Sequence, residues 1–198
     1  MDKIVFLDRD GTLNEEVNYL HRPEDLRLLP GVEEGLAQLK RQGFKLVVVT
    51  NQAGVARGYY TEEDVAALHC YLNSLLEKKK ARIDHFFYCP HHPEHGIPQY
   101  RKTCRCRKPD TGMLEMAEEF YDIDKCHSYM IGDKLLDTEA GRRYGVRPIL
   151  VGTGYGREQY DSLSPQEKKA AFDYYADTFK EAVDWILKEE GEKGTWSL

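Results

Sequence analysis

Long apolar runs are missing from this sequence: its longest continuous stretches, such as Ile4–Leu7 and Leu46–Val49, hold four residues. That excludes a membrane-spanning helix, which needs about twenty. The start of the chain also lacks the apolar segment and small-residue cleavage site of a secretory signal, so cytoplasmic residence is expected. An excess of basic charge is missing as well. With 28 Lys and Arg against 34 Asp and Glu, the formal net charge is −6. That argues against a nucleic-acid surface while leaving room for a local cationic pocket. Cysteine is scarce at five residues, and no Cys-x-x-Cys pair occurs, so no thiol–disulfide redox motif is indicated. Three of the five, Cys89, Cys104 and Cys106, nonetheless crowd into one short segment. In a chain without a secretory signal, such crowding points to metal ligation before disulfides.

No internal repeat or low-complexity tract is visible, and 198 residues suit one domain with a real core. Short apolar runs alternate with helical patterns, which predicts an α/β fold with a parallel sheet flanked by helices. The expected strands are Ile4–Leu7, Lys45–Thr50, His85–Tyr88, Ser128–Ile131 and Pro148–Val151. Between them, Val32, Leu36 and Leu39 fall on one helical face that Gly43 closes. Thr61 caps a second helix with the stripe Val65, Leu68, Leu72 and Leu75. Met113, Ala117 and Phe120 line a third, and Phe179, Val183, Ile186 and Leu187 a fourth. These stripes read as core.

Ligands of such sheets gather at the carboxyl ends of the strands. There the sequence places Asp8 and Asp10, Thr50-Asn51, Cys89-Pro90-His91 and Gly132-Asp133-Lys134. Packing alone explains none of these clusters. Asp8 and Asp10 lie two residues apart, so in extended backbone both project to the same side. Carboxylates held that close repel unless they share a proton or a cation sits between them. A hard divalent ion such as Mg²⁺, which takes a few carboxylates plus water and phosphate oxygens, resolves the conflict, with Asp133 as the natural third donor. Any one of these aspartates alone would be read as a turn former.

Phe6-Leu7-Asp8-Arg9-Asp10-Gly11-Thr12, the end of the Val47–Asn51 strand, Lys108 and Gly132-Asp133-Lys134-x-x-Asp137 together resemble the four motifs of the haloacid dehalogenase (HAD) superfamily, in the same order, across roughly residues 3–152. The resemblance implies a Rossmann-like fold and a catalytic set. Asp8 would be the nucleophile that forms an aspartyl-phosphate. Asp10 would protonate the leaving oxygen and then activate water. Thr50 and Asn51 would hold phosphoryl oxygens, and Lys108 would neutralise them. Asp8, Asp133 and the backbone carbonyl of Asp10 would hold Mg²⁺. Asp137 matches the last motif position, in contact with these groups or just behind them. Pumping ATPases of the superfamily carry Thr at the place of Asp10, so Asp favours a phosphatase.

The second metal site is Cys89-x-His91, twelve residues, then Cys104-x-Cys106. Three thiolates and one imidazole complete a closed tetrahedral Zn²⁺ shell of the structural type. His92 and His95 are alternative nitrogen donors, and register with the family favours His91. Arg107 and Lys108 follow directly, so fixing Cys106 would fix the lysine that meets the phosphate.

There is no room for a large cap, and the expected organisation is one HAD-like phosphatase domain over residues 1–190, a zinc loop at 89–108 and a tail at 191–198. Within the superfamily the sequence is most similar to the D-glycero-D-manno-heptose-1,7-bisphosphate 7-phosphatases, through Phe6–Asn14, Val47–Tyr60, Tyr88–Pro93, Cys104–Pro109 and Met130–Asp137. That resemblance implies substrate contacts from Asp8, Arg9, Asp10, Glu16, Val17, Asn18, Tyr19, Thr50, Asn51, Gln52, Ala53, Arg57, Arg107, Lys108 and Lys134. It also implies a small phosphorylated sugar as substrate and a place in heptose and lipopolysaccharide biosynthesis. The chain is expected to act as a monomer, without nucleic acid or membrane. Histidinol-phosphate phosphatases, with a similar zinc loop, are the alternative enzyme reading. A zinc-stabilised binding module that has lost catalysis is the alternative from another class, and it would lack one of Asp8, Asp10, Lys108 or Asp133.

Overall fold

The computed structural model describes residues 1–194. Along the chain come β1 (Ile4–Leu7), α1 (Val32–Arg41), β2 (Lys45–Asn51), α2 (Ala53–Ala56), α3 (Glu62–Glu77), β3 (His85–Cys89) and α4 (Gly112–Glu115). They are followed by β4 (Tyr129–Gly132), α5 (Leu135–Tyr144), β5 (Arg147–Val151), α6 (Gly156–Ser162), α7 (Pro165–Ala171), β6 (Tyr174–Ala176) and α8 (Phe179–Gly194). The six strands form one parallel sheet in the order β3-β2-β1-β4-β5-β6. Chain progress reverses at β1, which pairs with β2 on one side and β4 on the other, and this is where an open parallel sheet forms its crevice.

Both faces of the sheet are covered, which is why its strands read as unbroken apolar runs. Side chains alternate between the faces. Val5, Leu7, Leu46 and Val48 join one core with α1, α3 and α8. Ile4, Phe6, Val47 and Val49 join the other with α4 and α5. On the first face, α1 approaches α8 closely at Gly35, where a Cβ would lie 3.1 Å from both Phe179 and Val183. Thr61 caps α3 through a reciprocal box: Asp64 N donates to Thr61 Oγ1, and Thr61 N donates to Asp64 Oδ2.

All five expected strands form, each with its ends within one residue of expectation. The expected third helix does not run through. It is the short α4 followed by a 3-10 turn at Met116–Glu119, so Met113 and Ala117 are buried while Phe120 is 55% exposed. On α3 the buried position is Leu76, with Leu75 only half-buried, and Leu187 on α8 is likewise half-buried. Residues 152–175, which suggest no role in sequence, hold α6, α7 and most of the edge strand β6. Residues 12–30, where a cap could have been inserted, carry only a 3-10 turn at Pro23–Asp25. The expected tail begins within α8, and its last four residues, Trp196 among them, lie outside the described residues.

Because Phe179 fills the contact between α8 and α1, Phe179→Ala should lower the unfolding free energy by about 3–5 kcal/mol in urea titration. A loss below about 1 kcal/mol would mean that this helix pair is not packed as described.

Candidate active site

The ends of β1 and β4 lie side by side, and the Asp8 N–H donates to the carbonyl of Ile131 at 2.9 Å. That pairing brings Asp8 beside Asp133, and Asp137 from the first turn of α5 joins them. Each of the three offers a carboxylate oxygen within 4.8 Å of the others, and all three are buried. Lys108 reaches in from the loop after β3, with Nζ 2.7 Å from Asp8 Oδ1 and 2.6 Å from Asp137 Oδ1. Three carboxylates therefore face one buried ammonium. Burial, and then the charge of Asp8, push Asp133 up to about 8. Burial likewise pushes Asp137 up to about 6, although Lys108 opposes it. Burial would lower Lys108, but Asp137 and Asp8 hold it above its ordinary value.

Asp133 Oδ2 accepts from the Tyr155 N–H at 2.9 Å, whereas Oδ1 is buried with no hydrogen-bond partner among the described residues. A buried carboxylate oxygen without a donor, in a cluster short of positive charge, fits a hard divalent cation. The backbone around it has to be bare. Gly11 (φ +82°) would carry a Cβ 2.3 Å from Asp133 Oδ2, and a Cβ on Gly154 (φ +53°) would lie at 2.2 Å.

The Asp10 side chain takes no part in this cluster. Its Oδ1 accepts from Arg9 Nε (3.1 Å) and Asn14 Nδ2 (3.0 Å), and its Oδ2 from Arg9 Nη2 (2.9 Å) and Gln52 Nε2 (3.0 Å). Burial alone would raise Asp10, but the Arg9 charge and these bonds outweigh it and hold the carboxyl below its ordinary range. Gln52 also donates to Thr50 Oγ1 (2.9 Å), and its Oε1 accepts from the Tyr60 hydroxyl (2.7 Å). Behind Arg9, His69 of α3 is buried, with Nε2 3.2 Å from Arg9 Nη1. Burial, and then the Arg9 charge, push His69 down to about 3.

A second cluster stands at the end of β3. Cys89, His91, Cys104 and Cys106 converge, with all donor atoms within 4.8 Å of one another and five of the pairs at 2.9–3.8 Å. Hydrogen bonding to Cys89 leads a set of contacts that pull Cys106 down to about 5, while Cys89 and Cys104 are pushed up. The loop that closes the cluster is tied down at Tyr100, whose hydroxyl meets Glu62 Oε1 at 2.5 Å, and Tyr88 holds the other oxygen at 2.6 Å. Arg107 Nη1 donates to the His91 carbonyl at 3.1 Å. Asn51 clamps the next residue, accepting from Lys108 N and donating to Lys108 O, both at 3.1 Å.

Comparison with known proteins decides the lineage. The HAD-hydrolase-like family model matches residues 105–182. The D-glycero-D-manno-heptose-1,7-bisphosphate 7-phosphatase of Chlorobaculum tepidum is 40% identical over 187 residues, covering 91% of this chain and 92% of its own. The D-glycero-beta-D-manno-heptose-1,7-bisphosphate 7-phosphatase of Escherichia coli K12 is 38% identical, covering 92% of this chain and 87% of its own. This chain belongs to that phosphatase family. Among solved structures, the D,D-heptose 1,7-bisphosphate phosphatase of B. bronchiseptica, complexed with magnesium and phosphate, superposes with a TM-score of 0.81. It is 30% identical and covers 94% of this chain and 99% of its own.

In this phosphatase a cavity of about 370 Å³ opens over Asp8, Asp10 and Lys108. Of the expected substrate contacts, Glu16, Asn18 and Tyr19 wall it from the loop after β1, Thr50, Asn51, Gln52 and Ala53 from the end of β2, and Arg107 and Lys134 from the far side. Arg9 requires a correction. Its side chain has no solvent exposure, is bonded to Asp10, the Leu20 carbonyl, Gln52 and His69, and does not line the cavity. The structure does not bring Val17 or Arg57 to the cavity wall either: Val17 is turned out to solvent, and Arg57 lies over the Tyr19 ring at 5.9 Å. The Asn51 amide, expected on phosphate, is occupied by the Lys108 backbone. Tyr60, Leu136 and Tyr155 line the cavity without having been anticipated, and the one available signal was the glycine-flanked Tyr155.

A neutral buried histidine carries a pH signature. With its native pKa pushed below 6.5, His69 leaves the unfolded chain to take up a proton that the native state refuses. The stability it allows is present above pH 6.5 and is lost as pH falls toward about 3. Wild-type protein should therefore lose unfolding free energy between about pH 6.5 and 5 more steeply than His69→Phe, measured by urea titration at constant ionic strength. Parallel slopes would remove His69 as a buried neutral group.

Proposed function

We propose that this enzyme removes the 7-phosphate of D-glycero-D-manno-heptose 1,7-bisphosphate through an aspartyl-phosphate on Asp8. The observation that carries this reading is the pairing of Asp8 with Lys108 at 2.7 Å on the cavity wall, with the donor-less oxygen of Asp133 in the carboxylate cluster beside Asp8. The substrate follows from relatives at 38–40% identity over nine-tenths of the chain.

Asp8 attacks phosphorus along the line of the departing ester oxygen, so an Asp8 O–P bond forms as the P–O bond to the sugar breaks. Lys108, buried against Asp8, offers a fixed positive charge to the transferring oxygens without reorganisation. Asp10 delivers a proton to the leaving alkoxide. The bound phosphate dianion raises the proton affinity of Asp10, and departure of the sugar lowers it again. The same carboxylate then takes a proton from water, whose oxygen attacks phosphorus and releases phosphate and free Asp8. Asp8, Asp133 and the backbone carbonyl of Asp10 would hold Mg²⁺, while Asp137 holds Lys108. When bound, the cation neutralises phosphoryl oxygens and relieves the repulsion between Asp8 and Asp133. Arg107, which lines the cavity, would receive the second phosphate of a bisphosphate.

Zn²⁺ suits the cysteine cluster. A tetrahedral shell of three thiolates and an imidazole has edges of roughly 3.6–3.8 Å and leaves no open position; three donor pairs here stand at 3.4–3.8 Å, and the Cys104 pairs with His91 and Cys106 are shorter, at 3.2 and 2.9 Å. The already depressed Cys106 supports ligation, and the tie to Lys108 two residues on makes the metal a clamp on the active site.

Three measurements bear on these assignments. Asp8→Asn should abolish phosphate release while leaving the circular dichroism spectrum and melting temperature near wild type, and substantial turnover would disqualify Asp8 as nucleophile. In a panel of heptose bisphosphate anomers, histidinol phosphate and fructose bisphosphate with Mg²⁺, a heptose bisphosphate should be turned over best; preference for histidinol phosphate would reassign the substrate. Metal analysis should return about one zinc per chain, and its removal should impair activity together with local order. A zinc-free protein that is stable and fully active would refute the clamp.

A further inference from the structure

Asp10 receives four hydrogen bonds, and two of them come from one guanidinium. Such a grip fixes the carboxylate plane only if the guanidinium is itself fixed. Arg9 has no exposure, so water cannot hold its remaining N–H groups. Nη2 is shared among Asp10, the Leu20 carbonyl (3.3 Å) and Gln52 Oε1 (3.2 Å). The hydrogen bond that Nη1 makes is to His69 Nε2, from a residue 60 positions away on α3.

The His69 ring is held in turn. It stacks on Phe86 with 4.5 Å between centroids and meets Tyr88 edge-on at 6.1 Å. Burial and the neighbouring guanidinium keep it neutral, so Nε2 accepts and the proton sits on Nδ1. Packing alone does not require a nitrogen here, because a phenyl ring would fill the same space between α3 and the sheet. What a phenyl ring lacks is an acceptor for Nη1.

We infer that His69 is a positioning residue for catalysis: by accepting from Arg9 Nη1 it holds the guanidinium fork in the plane that presents Nε and Nη2 to Asp10, and thereby aims the Asp10 carboxyl at the leaving oxygen. This rests on Asp10 being the proton carrier. His69 does not line the cavity and touches no reacting atom. Without its acceptor, Nη1 would be a buried donor with no partner, and the fork would turn to find one. Asp10 would follow the fork. The step that suffers is protonation of the departing oxygen, while attack by Asp8 and neutralisation by Lys108 keep their geometry.

The test is therefore a comparison of leaving groups. The quantity kcat/KM covers the steps up to release of the alcohol. His69→Phe should lower it roughly ten- to hundredfold for heptose bisphosphate, whose alkoxide needs a proton. For p-nitrophenyl phosphate, whose phenolate leaves without one, the fall should stay within about threefold. His69→Gln puts an amide oxygen at the place of Nε2 and should recover most of the lost rate. If the Phe variant does not fold, as judged by its melting temperature, His69→Asn takes its place, since its amide is too short to reach Arg9. Equal losses on both esters, no loss on either, or a Gln variant no better than Phe would overturn the inference. A wild-type protein inactive on both esters would overturn the phosphatase reading and this inference with it.

Discussion

Unbalanced negative charge at the junction of β1 and β4 is the constraint on which the other features of this site depend. Asp8, Asp133 and Asp137 are brought together by strand pairing and a helix start, largely shielded from bulk water, against the buried charge of Lys108 and the partly exposed charge of Lys134, 3.9 Å from Asp133. Such a cluster is tolerable only where a cation or a proton completes it. Its surroundings are arranged accordingly. Gly11 and Gly154 leave room for the Asp133 carboxylate, the Tyr155 amide steadies one of its oxygens, and the other is left open. Lys108 is anchored by Asn51 on its backbone and by the cysteine cluster two residues before it.

Asp10 belongs to a different electrostatic compartment, although only two residues separate it from Asp8. One carboxylate faces the cation-seeking cluster, and the other is balanced by a buried guanidinium. The residue between them makes this division possible. Arg9 is buried and gives its fork to Asp10, so the two aspartates do not compete for one positive charge. The two carboxylates are thus kept in separate surroundings.

Much of this was legible in the sequence. The strands stood out because a doubly covered sheet demands unbroken apolar runs, and the polar residues at their ends then marked the crevice. The misses have physical causes. Arg9 was taken for a substrate contact by likeness, and no spacing shows that its side chain is turned to Asp10, Gln52 and His69. Phe120 fits a helical period, but the helix does not persist past Glu115, and its 3-10 continuation turns that side chain outward. β6 has three residues, too few for any period to show. His69 occupies an ordinary inward position on α3, and nothing local distinguishes a histidine that holds a guanidinium from one that merely packs. Tyr60 and Tyr155 reach the cavity through tertiary folding that no spacing records.

The segment between Cys89 and Cys106 is held at its two ends by the same four-residue cluster. For a chain closed in this way, length added or removed in the middle costs only a slowly growing loop entropy and does not move the ends. Lys108 therefore keeps its place regardless of how His92–Thr103 is elaborated. Descendants of this fold can lengthen or reshape that stretch without renegotiating the chemistry beneath. Evolvability is thereby concentrated in one stretch of surface.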